Sequence, residues 1–456
     1  MNHYRTPLFA TLLLSLSLAG CMAGPDYAAP ATPHSAPQAV AVPEDWWKSL
    51  GSPALNRTVE QALAQNGSLV VARANLAKAQ EGIAMANGGL LPHVDAGASA
   101  GRTKVGATGF GPEASTFPLF SAYGGGLRAT YDLDVFGGQR RQVELASANA
   151  QVEQHALQAV RLEVSGGAVR QVLNIAVLRG QINTVTSMID NDTRNLELVQ
   201  RAVNAGVAAP IDRALAQGQL DNDRARLPPL AQGLAVARGA LTTLVGATEA
   251  DWTAPDFDLA DLHLPHDLPA TVPSDLVRLR PDIGAAEARL HAANAWVGVT
   301  TADLYPHLTL SANLSGEALF SGPADTAWSL LGGLAGPVFN GGTLSARKRA
   351  AEDAYQATFA EYQQTVLKAF EQVSVDLHGL QNAADEAQAQ QHALNSANTA
   401  LDMTREAWRV GNAGVVQVLQ AERVQQLTEL QREQALGKHY LEAVNLLLAM
   451  GGGAVR

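Results

Sequence analysis

Cysteine is all but missing from this chain. Cys21 is the only one among 456 residues, so no internal disulfide can form. Charge is sparse: Asp, Glu, Lys and Arg make up 16% and the balance is −11, which argues against a nucleic-acid partner and the basic patches it would require. Aromatic side chains are 5%, less than a compact globule of this length calls for. An Ala-rich chain of low charge suits long helices packed closely instead. Chemistry is missing as well. Gly336-Pro337-Val338-Phe339-Asn340-Gly341-Gly342-Thr343 has the rhythm of a phosphate loop without its lysine, and reads as a strand-to-helix turn. The eleven histidines show no metal-ligand spacing, and His93 and His307, each after a proline, read as polar rim residues. The acid pairs Asp132/Asp134 and Asp221/Asp223 read as solvated faces or lumen lining. The expectation is no enzyme, no metal and no cofactor.

What is present begins with an address. After Arg5 an apolar run extends from Leu8 to Leu18, about half of the roughly 20 residues a spanning helix needs, so it reads as a signal-peptide core. Leu18-Ala19-Gly20-Cys21 fits the bacterial lipoprotein cleavage pattern. Residues 1–20 are then a signal peptide and Cys21 carries diacylglycerol and an acyl chain, each inserted methylene contributing about 0.8 kcal/mol. Removing 1–20 takes away Arg5 and no acid, so the net charge becomes −12. Met22 rather than an aspartate follows the cysteine. That resembles the sorting pattern for the outer membrane. Residues 21–45, with Pro25, Pro30, Pro33, Pro37 and Pro43, read as an extended lipid-anchored tether.

An internal duplication decides the expected architecture. Leu91-Pro92-His93-Val94 recurs as Tyr305-Pro306-His307-Leu308, Val135-Phe136-Gly137-Gly138 as Val338-Phe339-Asn340-Gly341, and Gly206 as Gly411. The first copy spans 46–245 and the second 274–450, joined by a connecting segment at 246–273 and followed by a tail at 451–456. Each copy carries two strands, at 93–104 and 121–134 and at 306–317 and 326–336. Val94, Ala96, Ala98 and Ala100 alternate with Asp95, Gly97, Ser99 and Gly101, and Leu308, Leu310, Ala312 and Leu314 with Thr309, Ser311, Asn313 and Ser315. Period two over about ten residues suits a transmembrane strand, or equally a water-facing sheet packed on a core. The address favours the barrel. Four strands cannot close a conducting pore, so several chains must share one.

The helices are long. Gln139 to Val203 runs without proline, about 100 Å of helix at 1.5 Å per residue. Its second half carries a heptad of Ile175, Leu178, Ile182, Val185, Ile189, Leu196, Val199 and Val203, broken only at Asp192. Residues 343–408 repeat the length, with Leu367, Phe370, Val373, Leu377 and Leu380 on one stripe. Shorter return helices are expected at 210–245 and 415–450, and stacked ones at 68–87 and 282–301. The fold class read from this is an α+β membrane protein: a coiled-coil helical barrel with a transmembrane β-barrel.

Several short motifs now combine: Cys21-Met22-Ala23-Gly24-Pro25-Asp26-Tyr27, Trp46-Trp47, Leu279-Arg280-Pro281-Asp282-Ile283, and the turns around Gly206 and Gly411. From Cys21 onward the chain resembles the TolC-like outer-membrane factor family, in its NodT-type lipoprotein branch. The resemblance implies a homotrimer with twelve strands in its barrel. It also implies a periplasmic tip that docks on an adaptor protein and, through it, an inner-membrane pump of the resistance-nodulation-division type, for efflux of drugs or other small molecules. It implies a gate near the tips as well. Gly206 and Gly411 supply the turns, Asp212 the acidic position of the first tip, and Val416 the constriction of the second. Gln420 stands where the family pattern has an aspartate. A duct for protein secretion and a non-conducting coiled-coil spacer of the envelope are the alternative readings.

Overall fold

The computed structural model describes residues 22–30, 43–104, 119–264, 280–319 and 325–451. Among these residues eight helices and four strands follow in order: α1 (Pro53–Gln65), α2 (Gly67–Gly88), β1 (His93–Thr103), β2 (Phe120–Asp132), α3 (Gly138–Asn204), α4 (Pro210–Arg224), α5 (Leu227–Val245), α6 (Pro281–Ala302), β3 (His307–Leu319), β4 (Asp325–Ala335), α7 (Thr343–Arg409) and α8 (Val415–Ala449). A 3-10 turn at Trp46–Leu50 precedes α1. The chain divides into two compact units. The first takes in the described residues of 1–30, 75–154 and 285–362, the second those of 31–74, 155–284 and 363–456.

The first unit holds one antiparallel sheet in the order β1-β2-β3-β4. Its registers put alternate residues on one face, because successive side chains of a strand point to opposite sides. Ala96 lies opposite Leu127, Leu127 opposite Leu314, and Leu314 opposite Trp328. The same face carries Val94, Leu310, Leu330 and Leu334, while Asp95, Ser99, Arg128, Thr130, Thr309, Ser311, Asn313 and Ser329 line the other. The apolar face is bare: Trp328 is 80% exposed and Leu334 72%. An apolar surface of that extent marks contact with lipid or protein. Among the described residues β1 and β4 each pair with one neighbour, which leaves the outer edge of each without a described partner.

At the foot of β2 the chain turns sharply into α3. Asp134 takes a left-handed backbone, φ 44°, a conformation aspartate tolerates better than most residues. Its carboxylate accepts hydrogen bonds from the Gln139 and Arg140 amides at 2.8 and 3.0 Å, capping the helix start. The buried Arg141 then gathers the N-terminal arm. It donates to the Ala23 carbonyl at 3.2 Å, to Asp26 at 2.8 Å and to Glu144 at 2.6 Å. Glu144 in turn meets His291 at 2.8 Å, the Tyr27 ring stacks on His291 at 4.2 Å, and Asn294 donates to the Pro25 carbonyl at 3.0 Å. Gly24 is required by space as well as by its φ of 85°: a Cβ there would lie 2.5 Å from the Gly298 Cα. Residues 23–27 are thus clamped, while Cys21 and 31–42 of the tether lie outside the described residues.

The second unit is built on its tryptophans. Trp46 and Trp47 meet edge to face at 6.2 Å and are buried with Leu50, Leu55, Val172, Leu173, Ile175, Leu241, Val245, Val444 and Leu446. Ser52 caps α1 and Pro53 opens it, the arrangement a helix start favours. Asn66 accepts from the Ser68 amide at 2.9 Å and donates to the Leu244 carbonyl at 2.9 Å, fastening the start of α2 to the end of α5. Farther along α3, Val185 and Met188 are buried with Leu430, flanked by Ile189, Leu227 and Leu427. The heptad of α3 therefore does pack inward.

Two expectations for this unit are corrected. The return segment 210–245 is two helices, broken at Ala225-Arg226, because Pro228 and Pro229 lack the amides a continuous helix needs and the first turn is where proline is tolerated. Leu367 is 62% exposed, and the buried residues of α7 there are Val366, Ala369 and Val373. The inward stripe runs one residue earlier than Leu367.

Candidate gate and helix tips

Each long helix ends in the same local chemistry. At the end of α3 the Gly206 amide donates to the Val203 carbonyl and the Val207 amide to Ala202, both at 3.0 Å. At the end of α7 the Gly411 amide donates to Trp408 at 3.0 Å and Asn412 to Ala407 at 2.8 Å. This pair of bonds satisfies the last carbonyls of a helix and demands a left-handed residue at the turn. Gly206 and Gly411 supply it, with φ 74° and 83°. A Cβ at either would meet nothing within 4 Å, so backbone conformation alone calls for glycine.

The return helices start alike too. Asp212, third residue of α4, accepts from the Ala209 amide at 2.9 Å. Gln417, third residue of α8, accepts from the Gly414 amide. Asp212 is therefore engaged as a helix cap, and Gln417 holds the corresponding place at the second tip. Val416 is 54% exposed and Gln420 is exposed. Val207, Ile211, Leu215 and Val410 stand exposed beside them, an apolar surface at both tips.

Above the tips lies a polar cluster that reading the sequence put in the wrong environment. Asp223, expected with Asp221 on a solvated face or lining the lumen, is completely buried, and only Asp221 is exposed. Arg423 of α8 grips the Asp223 carboxylate with both terminal nitrogens, one of them at 2.9 Å, and Arg226 adds a contact at 3.2 Å. Such a bidentate pair is strong and directional. Asp192, the break in the α3 heptad, faces this pair. It is 8% exposed and its Oδ2 has no hydrogen-bond partner. Burial and then the neighbouring Asp223 carboxylate push its pKa up to about 6, against the pull of Arg423. The arrangement can hold a shared proton and lock α3, α4 and α8 together; it has no nucleophile to activate. The sign in the sequence was the lone acid in an apolar heptad. Leu279 of the second-copy motif lies outside the described residues, while Arg280 donates to the Ala449 carbonyl at 2.8 Å and pairs with Asp282.

A four-stranded sheet with a bare apolar face, together with 67-residue helices closed by tight glycine turns, defines an envelope channel component rather than a catalyst. The chain belongs to the outer membrane efflux protein family, whose model matches residues 58–247 and 272–452. It is 31% identical over 428 residues to the pyoverdine export outer membrane protein OpmQ of Pseudomonas putida, covering 92% of this chain and 90% of that one. It is 26% identical to a probable outer membrane lipoprotein, SilC, of Salmonella typhimurium, covering 98% of this chain and all of the other. Among solved structures it matches the outer-membrane channel OprN with a TM-score of 0.86 at 29% identity, over 95% of this chain and 99% of that one. The Campylobacter jejuni channel CmeC shares the fold at TM-score 0.87 and 20% identity, over 95% of each chain. The protein is an outer-membrane efflux channel and not an enzyme.

Proposed function

We propose that this chain is the homotrimeric exit duct of a tripartite efflux system, carrying small molecules from an inner-membrane pump of the resistance-nodulation-division type, through a periplasmic adaptor, to the outside. The observation that carries this reading is the sheet: one apolar face, one polar face and two open edges. A barrel of twelve strands from three copies would give every edge a partner and every apolar side chain a lipid. The exposed apolar tips offer the adaptor a surface.

The reading includes two repeats, 46–245 and 274–450, joined by 246–273, and a lipid on Cys21. In support of the repeat, α3 and α7 are each 67 residues long. The left-handed glycines Gly137 and Gly342 directly precede their starts. The gate assignment rests on Val416, Asp212 and Gln420 lying next to the turns at Gly206 and Gly411. Relatives named for pyoverdine export, cation efflux and antibiotic efflux span several substrate classes, so the pump selects the cargo. Drug susceptibility after gene deletion tests the proposal: sensitivity restored by the wild-type gene supports it. Purified protein that runs as a monomer and does not conduct in planar bilayers would refute it.

A further inference from the structure

We propose that a second copy of this chain adds its β1 to the free edge of β4 in one register, with Leu334 opposite Ala98 of the neighbouring copy. The inference rests on the repeat and trimer read above and specifies the joint between copies. Its template is the joint inside the chain, where β2 of the first repeat meets β3 of the second.

Two offsets relate the repeats. Before the strand-connecting loops the offset is 214, since β1 starts at His93 and β3 at His307. After them it is 205, since α3 starts at Gly138 and α7 at Thr343. With the first offset fixed at 214 by His93 and His307, the hairpin registers give the second. Ala96 pairs with Leu127; moved by 214 and 205 they become Leu310 and Gly332, which do pair. The resemblance of Val135-Phe136 to Val338-Phe339 implies an offset two residues shorter, and the strand register rejects it. Phe136 stacks on Tyr305 at 4.6 Å, whereas Phe339 is 91% exposed.

Applied to the internal joint, the offsets give the external one. Ala129 opposite Ala312 becomes Leu334 opposite Ala98, and Arg128 opposite Asn313 becomes Gly333 opposite Ser99. The Leu133 amide donates to the Leu308 carbonyl at 3.0 Å, so Val338 would donate to Val94 of the neighbouring copy. Both valines are exposed, Val338 fully. Pairs alternate between hydrogen-bonded and non-bonded in an antiparallel ladder. Pro337, next to Val338, therefore falls where the ladder asks for no amide. Alternation of faces forbids an odd slip, and the internal joint chooses among the even ones.

Cysteine pairs decide the register. Gly333→Cys would be combined with Ser99→Cys, Gly97→Cys or Gly101→Cys, retaining Cys21, with each single variant as control, and oxidised in outer membranes. A Cβ at Gly97 or Gly101 meets nothing within 4 Å, and one at Gly333 meets only the Thr309 carbonyl at 3.9 Å. A slip of two residues displaces a partner by about 7 Å along the strand, beyond the span of a disulfide. The Ser99 pair is expected to give covalent trimers at least about tenfold faster than either slipped pair. Faster bridging at Gly97 or Gly101, or none at any pair while the wild type still forms SDS-resistant trimers, would overturn the register alone. A monomeric wild type would instead remove the proposed function beneath it.

Discussion

Asp192 shows what one carboxyl group can do inside a helical package. Its pKa is raised to about 6 by burial and by Asp223, against about 3.9 in an unfolded chain. Between those values the folded state holds the extra proton, so its contribution to stability grows as pH falls from 7 toward 4 and is lost as pH rises through 6. Asp192→Asn copies the protonated form. It is expected to raise the melting temperature at pH 7.5 and to flatten the rise seen on acidification; thermal melts across pH 4.5–8 would check this, and an unchanged pH slope would count against it. At the turns, Gly206→Ala and Gly411→Ala should each cost about 1–2 kcal/mol of local helix-end stability, read as faster amide exchange at the two tips. Space is not the reason, since the added methyl touches nothing.

At the scale of elements, the grip of Arg423 on Asp223 joins α8 to α4 where the tips begin. Removing Arg423 leaves the buried Asp223 carboxylate with Arg226 as its remaining cation, a loss below the about 3–5 kcal/mol of a wholly unpaired buried charge. Arg423→Ala should therefore loosen the tips and lower the unfolding temperature. Arg423→Ala with Asp223→Asn should recover part of the loss. Equal loss in single and double variants would argue against a coupled pair.

The strands and long helices are legible in the sequence because period-two alternation, a proline-free run and a heptad with a single break are local signals. The break at Ala225-Arg226 is signalled only by Pro228-Pro229, because the flanking segments keep a helical pattern. The burial of Asp223 was not legible. Its partner Arg423 stands 200 residues away, and nothing local to Asp221 and Asp223 says which of the two faces inward. The clasp of Arg141 on Ala23 and Asp26 was hidden in the same way. The motif around Pro25 was visible, but its receptor was not.

For the whole molecule, conduction is the relevant measurement. Small or charge-removing substitutions at Asp212 or Val416 are expected to raise leak conductance in planar bilayers, through loss of the cap on α4 in the first case and of constriction in the second. Unchanged single-channel conductance would remove these residues from the gate. On the proposed trimeric barrel, Cys21→Ser should leave SDS-resistant trimers and most drug resistance intact, because such a barrel would supply its own membrane attachment; full loss of resistance would make the lipid essential.

The clasped arm has a mechanical consequence. Met22 lies so close to the strand-to-helix turn that a Cβ on Gly137 would come within 2.9 Å of its side chain. One peptide unit, about 3.8 Å, separates that point from Cys21. If Cys21 carries the proposed lipid, that lipid would act before folding as a leash that confines the chain to two dimensions and raises the frequency at which copies meet, and after the arm docks as a depth gauge for the foot of each strand.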